Sequence, residues 1–159
     1  MNSKDNNNHK DFIGTIYLNP SKEFKLGGSF YSGKYPQYIQ FYLTGNSLST
    51  HRWTVGAEYK SSHFCSRAEY IQSDDGDLRR NGYYAMLMWK PNPDKFELVG
   101  KYDYYNNDAL FAKTSIRDAT FGFNYYFAYL SRIQMNYIHT DDKVVGKNNA
   151  LAVQLQLYF

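Results

Sequence analysis

The sequence predicts an all-β protein: a transmembrane, antiparallel, up-and-down β-barrel to which this chain contributes about nine strands. Three observations predict it. Apolar and polar residues alternate with a period of two through segment after segment of the 159 residues. Aromatic residues make up 19% of the chain, with 17 Tyr against 2 Trp, and they gather toward strand ends, where a bilayer places its aromatic girdles. The connections alternate short and long, as they do when tight turns lie on one side of a membrane and long polar loops on the other.

In chain order, the first strand is Phe12 to Asn19 and the second Glu23 to Tyr31, joined across "PSK". A long connection, Gly33 to His51, leads to Arg52 to Lys60, where Trp53, Val55, Ala57 and Tyr59 share one face and Arg52, Thr54, Glu58 and Lys60 the other. "SSH" turns it into Phe64 to Gln72, with Phe64, Ala68 and Tyr70 opposed to Arg67 and Glu69. After Ser73 to Asn81, the strand Gly82 to Lys90 aligns Tyr83, Ala85, Leu87 and Trp89. "PNPD" turns it into Lys95 to Tyr105, where Phe96, Leu98, Tyr102 and Tyr104 oppose Glu97, Lys101 and Asp103. Asn106 to Asp118 connects to Ala119 to Phe127, which sets Phe121, Phe123, Tyr125 and Phe127 against Thr120 and Asn124. Past "AYLS" comes Arg132 to His139, with Ile133, Met135 and Tyr137 against Arg132, Gln134 and Asn136. After Thr140 to Asn149, "LAVQLQLYF" ends the chain in the strand Ala150 to Phe159, apolar at Leu151, Val153, Leu155, Leu157 and Phe159 and polar at Gln154 and Gln156. Each segment is close to the roughly 9 to 11 residues that a tilted strand needs to cross a bilayer. A soluble sandwich alternates in the same way, but it has no reason to alternate its connection lengths so regularly.

The bulk composition narrows the function classes. A net charge of +3, with no basic cluster beside a recognition helix or zinc ligands, argues against nucleic acid. Mean hydropathy is −0.65 and no stretch approaches the roughly 18 apolar residues of a membrane helix, yet a β-barrel hides its hydrophobicity in alternate residues. The single cysteine, Cys65, rules out an internal disulfide. "MNSKDNNNHK" is polar and lacks the apolar core of a signal peptide.

The run "RWTVGAEYKSSHFCSRAEYIQ", followed by "GYYAMLMW", "LVGKYDYYNND", "FGFNYYF", "IQMNYIHTDD" and "NNALAVQLQLYF", resembles the C-terminal part of the phosphate-selective porin O and P family, from about Phe12 onward. The resemblance implies a 16-stranded, trimeric diffusion channel of the bacterial outer membrane, with long loops outside, short turns in the periplasm and the signal peptide upstream. It implies outer-membrane lipid, two further copies and the barrel assembly machinery as partners, and no cofactor. Family phosphate selectivity comes from an arginine ladder and a lysine-bearing constriction loop, much of it in the upstream half. No residues here match that loop.

Strand parity gives an argument independent of the resemblance. With the last residue and the short turns on one side, nine strands leave the N-terminus on the other, whereas complete bacterial barrels have an even strand number. The expectation is that 1–11 is a polar extracellular loop or a disordered N-terminal segment, and 12–159 the C-terminal portion of a larger barrel. The rival reading makes "YIQFYLTG" a tenth strand that closes a small structural or adhesive barrel.

Candidate site residues follow from the polar face. Arg52, Arg67, Lys101 and Arg132, with Lys25 and Lys60 nearer the ends, are candidates for a basic strip that favours anions. Glu58, Glu69, Glu97 and Asp103 face the same way and are candidates for pairing within the lumen, Glu58 with Arg67 across the short "SSH" connection. Cys65 points inward beside Arg67. The final strand with Phe159 resembles the signal read by outer-membrane assembly machinery. For a rim protease or hydrolase, "HTDD" offers His139, Asp141 and Asp142, and "SDDGD" adds Asp74, Asp75 and Asp77, although adjacent acids in loops are more often turn residues. No nucleophile elbow is present, "DDGD" lacks the spaced ligands of an EF-hand calcium loop, and the four histidines have no metal-ligand spacing. The reading is therefore a channel for passive diffusion of small hydrophilic solutes, anions such as phosphate among them, without catalysis or metal.

Overall fold

The computed structural model describes residues 10–39, 42–108 and 114–158, with side chains described outside 35–47. Its strands are β1 (Phe12–Leu18), β2 (Phe24–Ile39), β3 (Tyr42–Lys60), β4 (Phe64–Asp75), β5 (Leu78–Asn92), β6 (Phe96–Asn106), β7 (Ser115–Ala128), β8 (Ser131–Asp142) and β9 (Gly146–Gln156). They form one sheet in the order β1 to β9, every neighbour antiparallel. This is the all-β, up-and-down arrangement that the alternation predicts. The sheet is open, with β1 and β9 at its two edges.

Each predicted strand is present at its predicted place, except that the last ends at Gln156 with Leu157 and Tyr158 past it, and the long connections largely dissolve into longer strands. β2 and β3 run on as a hairpin from Gly33 and Thr50 to the Ile39–Tyr42 pair. The register shifts between Pro36 and Tyr38, where a residue without an N–H interrupts the ladder. This hairpin removes the tenth-strand reading: Tyr38 pairs with Leu43, so "YIQFYLTG" is divided between β2 and β3, and Gln40 and Phe41 lie outside the described residues. β4 and β5 continue to a two-residue turn at Gly76 and Asp77, with Gly76 at φ 63°, a glycine at the first central position as one of the favoured hairpin turns requires. β8 and β9 meet around Lys143 to Val145, where Asp142 Oδ1 accepts the N–H groups of Val144 and Val145 at 2.7 and 3.1 Å. Between β6 and β7, residues 109–113 lie outside the described ones.

The opposite end has short turns throughout. Ser21 Oγ accepts the N–H groups of Glu23 and Phe24, each at 3.2 Å, and Ser61 Oγ accepts that of Phe64 at 3.1 Å. The tightest, Tyr129 to Leu130, holds Leu130 at φ 58°, a conformation a branched side chain adopts only when pairing on both sides imposes it. With an odd number of strands between hairpin turns, β1 and β9 run in the same direction, from the long-hairpin end to the short-turn end.

The two faces differ in kind. Among the described residues no apolar side chain is buried, whereas Thr50, Asp75, Glu97 and Asn124 are, all on the polar face. Side chains converge inside a curled sheet and splay outside it, so the charged face is the inner one. Trp53, Val55, Leu87, Trp89, Phe121, Met135, Leu151, Val153 and Leu155 stand exposed on the outer face. Among the described residues no second layer covers them, and a soluble sandwich would require one.

Candidate functional site

Directly opposed residues form lateral rows across the inner face. One row runs Gly27, Gly56, Glu69, Tyr84, Asp103, Asp118, Thr140 and Asn148. The next row, nearer the short turns, runs Lys25, Glu58, Arg67, Met86, Lys101 and Thr120. An acidic row therefore lies beside a largely basic one, separated by two residues of strand, about 7 Å.

All four candidate cations are on this face, but they do not make one strip. Arg67 and Lys101 share a row, Arg52 lies toward the long hairpins and Arg132 beside the short turns. Three are ion-paired. Arg67 donates to Glu58 through Nε at 2.9 Å and through a second guanidinium N–H, which is the pair that the "SSH" register predicts. Lys101 Nζ is 2.7 Å from Asp103 and Arg52 is 3.5 Å from Asp75. Arg132 instead donates to the hydroxyl of Tyr126 at 3.0 Å and to Gln156 Oε1 at 3.1 Å.

The candidate acids divide in the same way. Glu58 and Asp103 are paired as above, while Glu69 has no salt bridge among the described residues. Glu97 is the most enclosed: its carboxylate lies 2.9 Å from Lys90 Nζ and accepts Asn124 Nδ2 at 2.9 Å and the Tyr126 hydroxyl at 3.1 Å. Through Tyr126, Arg132 and Gln156 this network crosses β5 to β9. Phe159 lies outside the described residues.

Several members of these sets lie outside the candidates that the polar face of the sequence offers. Lys90 stands one residue past Trp89 at the inward parity, and Asp118 one residue before the predicted strand. One carboxylate oxygen of Asp118 is buried without a hydrogen-bond partner, although the residue faces Asp103. Tyr31, Tyr84 and Tyr126 lie under Arg52, Lys101 and Arg132, the cations 5.8, 5.3 and 5.8 Å from the ring centroids. Inward tyrosines at alternating positions were the available signal, but tyrosine fits either face.

Near the long-hairpin end, Asp75 gathers Thr50, Arg80 and Arg52, with Ser73 Oγ at 2.8 Å. Burial alone raises its pKa, but hydrogen bonds from Thr50 and Ser73 and the two guanidinium charges outweigh that and hold the carboxyl below its ordinary value. Asp74 is lowered chiefly by its hydrogen bond from Arg79, at 2.7 Å, and Asp141 by Lys143 at 3.2 Å.

The rim residues each have partners of their own. His139 Nδ1 is bonded to Asn149 Oδ1 at 2.7 Å, Asp141 and Asp142 serve Lys143 and the turn amides, and "DDGD" is a hairpin turn. Among the described residues no three His, Cys, Asp or Glu side chains converge as a metal site. Cys65 faces inward opposite Lys60.

A sheet with a bare apolar outer face and a charged, hydrogen-bonded inner face is the wall of a membrane β-barrel of the porin class. The family model for phosphate-selective porin O and P matches residues 32–159, and the chain belongs to that family. No curated protein and no solved structure matches it significantly.

Proposed function

We propose that these strands are the C-terminal part of the wall of an outer-membrane channel for passive diffusion of small hydrophilic solutes, with the long hairpins outside and the short turns in the periplasm. One observation carries the reading: within the apolar belt the lipid-compatible face is bare and the ionised side chains of β2 to β8 face the other way, charges at outward parity such as Asp74, Arg79, Arg117, Asp141 and Lys147 standing only toward the long hairpins. The open edges support the part-of-a-barrel reading, because unpaired backbone groups in hydrocarbon cost several kcal/mol each. Since β1 and β9 run the same way, antiparallel completion takes an odd number of further strands; seven would give 16. A homotrimer and recognition of Phe159 by the assembly machinery belong to the same reading.

The charge pairing favours a weakly selective wall over an anion filter. Arg52, Arg67 and Lys101 each have a carboxylate partner, so a phosphate preference in the complete channel would rest on Arg132, on Lys25 or on cations outside these strands. The test is planar-bilayer conductance of the full-length porin under a salt gradient. Steady channels with a reversal potential near zero are expected when the rest of the lumen is equally balanced. Neutralising Arg52, Arg67 and Lys101 one at a time should move the reversal potential little. A large cation-ward shift from any one of them would overturn the weak-selectivity reading, and absence of conductance would overturn the channel.

A further inference from the structure

On the inner face Gly27 stands opposite Gly56, so two adjacent strands place no side chain at one point of the wall. The result is a hollow of about 570 Å³. Tyr17 covers part of its floor: a Cβ on Gly27 would meet the Tyr17 ring at 3.0 Å. Toward the long hairpins the hollow has the paired hydroxyls of Ser29 and Thr54, 3.0 Å apart; toward the short turns it has Lys25, Glu58 and Arg67, with Glu69 beside the glycines.

The charges here are balanced in number but not all satisfied by one another. Glu58 is engaged by two N–H groups of Arg67, and Lys25, directly opposite Glu58, forms no salt bridge among the described residues. Neither does Glu69, one row away. A simple anion entering the hollow would meet Lys25 and Arg67 but also two carboxylates, and a simple cation would meet the converse. A solute carrying both charges meets a complementary group at each end.

We infer that this recess is a subsite for zwitterionic solutes of amino-acid size, which set their carboxylate at Lys25 and their ammonium at Glu69. The inference rests on the channel reading. The exposed setting makes the site weak, as permeation requires: a solute held too firmly does not leave. The neutral hydroxyls tolerate a range of polar side chains, so the preference is for charge arrangement rather than for one compound.

Proteoliposomes containing the full-length porin provide the test, through swelling rates in isotonic arabinose, glutamine and sodium phosphate. Arabinose and glutamine are close in size and both carry no net charge, so their ratio isolates the zwitterion. Glutamine should enter about two- to five-fold faster than arabinose, the range that exposed charge pairs supply. Lys25→Met and Glu69→Gln should each bring the ratio toward one and leave arabinose entry unchanged. Equal wild-type rates, or a ratio that survives both substitutions, would overturn the subsite. Phosphate entry that depends on Lys25 but not on Glu69, without a glutamine advantage, would replace it with an anion site. Failure of arabinose to enter would instead remove the channel reading and the inference with it.

Discussion

Asp75 and Glu97 are both nearly removed from solvent, at 5% and 4% exposure, and each is surrounded by donors, but their partners lie in different directions. Asp75 draws on β3, β4 and β5 where those strands extend past the apolar belt, and it locks adjacent hairpins. Glu97 sits beside the short turns, and its network passes from Lys90 through Asn124, Tyr126 and Arg132 to Gln156 on the edge strand. The difference teaches how a wall without a buried apolar core is held. Backbone ladders join neighbours everywhere, while polar side chains add local fastening at one end and lateral fastening at the other.

Substitution should separate the two. Glu97→Gln leaves Lys90 without its counter-charge and weakens two further bonds, so it should cost the full-length protein about 2–4 kcal/mol, read as a lower urea midpoint in detergent. If hydrogen exchange rises across β5 to β9, the lateral role stands; a rise confined to the β5–β6 turn would make Glu97 as local as Asp75. Asp75→Asn should cost about 1–2 kcal/mol, with faster exchange limited to the β3–β4–β5 hairpin ends.

The same residue carries a pH dependence. The folded Asp75 carboxyl is depressed below its unfolded value, so its contribution is fully present above the unfolded pKa of about 3.9 and is lost as pH falls through the folded one. Hairpin protection measured from pH 6 downward should therefore fall in wild type below about pH 4, and this component should vanish in Asp75→Asn. A fall of equal size in both would assign it to other carboxylates. The smallest effect belongs to Glu58 and Arg67, a pair open to the lumen. A double-mutant cycle with Glu58→Gln and Arg67→Met should return about 0.2–1 kcal/mol of coupling, and a larger value would place this pair with the enclosed networks.

Which face each residue takes was legible in the sequence, because a strand allows only two directions and one face here is almost wholly apolar. The Glu58–Arg67 pair was legible for the same reason, since a short turn leaves little freedom of register. Strand ends were not. Asp74, Asp75, Arg79 and Arg80 read as a polar loop, although the Gly76-Asp77 between them is a hairpin signal; polarity outside the membrane says nothing about whether a backbone ladder continues. The donors around Glu97 escaped notice because Tyr126 suits lipid interface and lumen equally, and Lys90 looked like the end of a strand.

The shared direction of β1 and β9 also limits how such a wall arises by copying. Two copies of this segment joined in tandem and inserted the same way up would meet along a parallel seam, and inverting one would put its long hairpins on the wrong side of the membrane. Closing these nine strands antiparallel therefore takes a segment of odd strand number that enters running opposite to β9, which a second copy set the same way up does not supply.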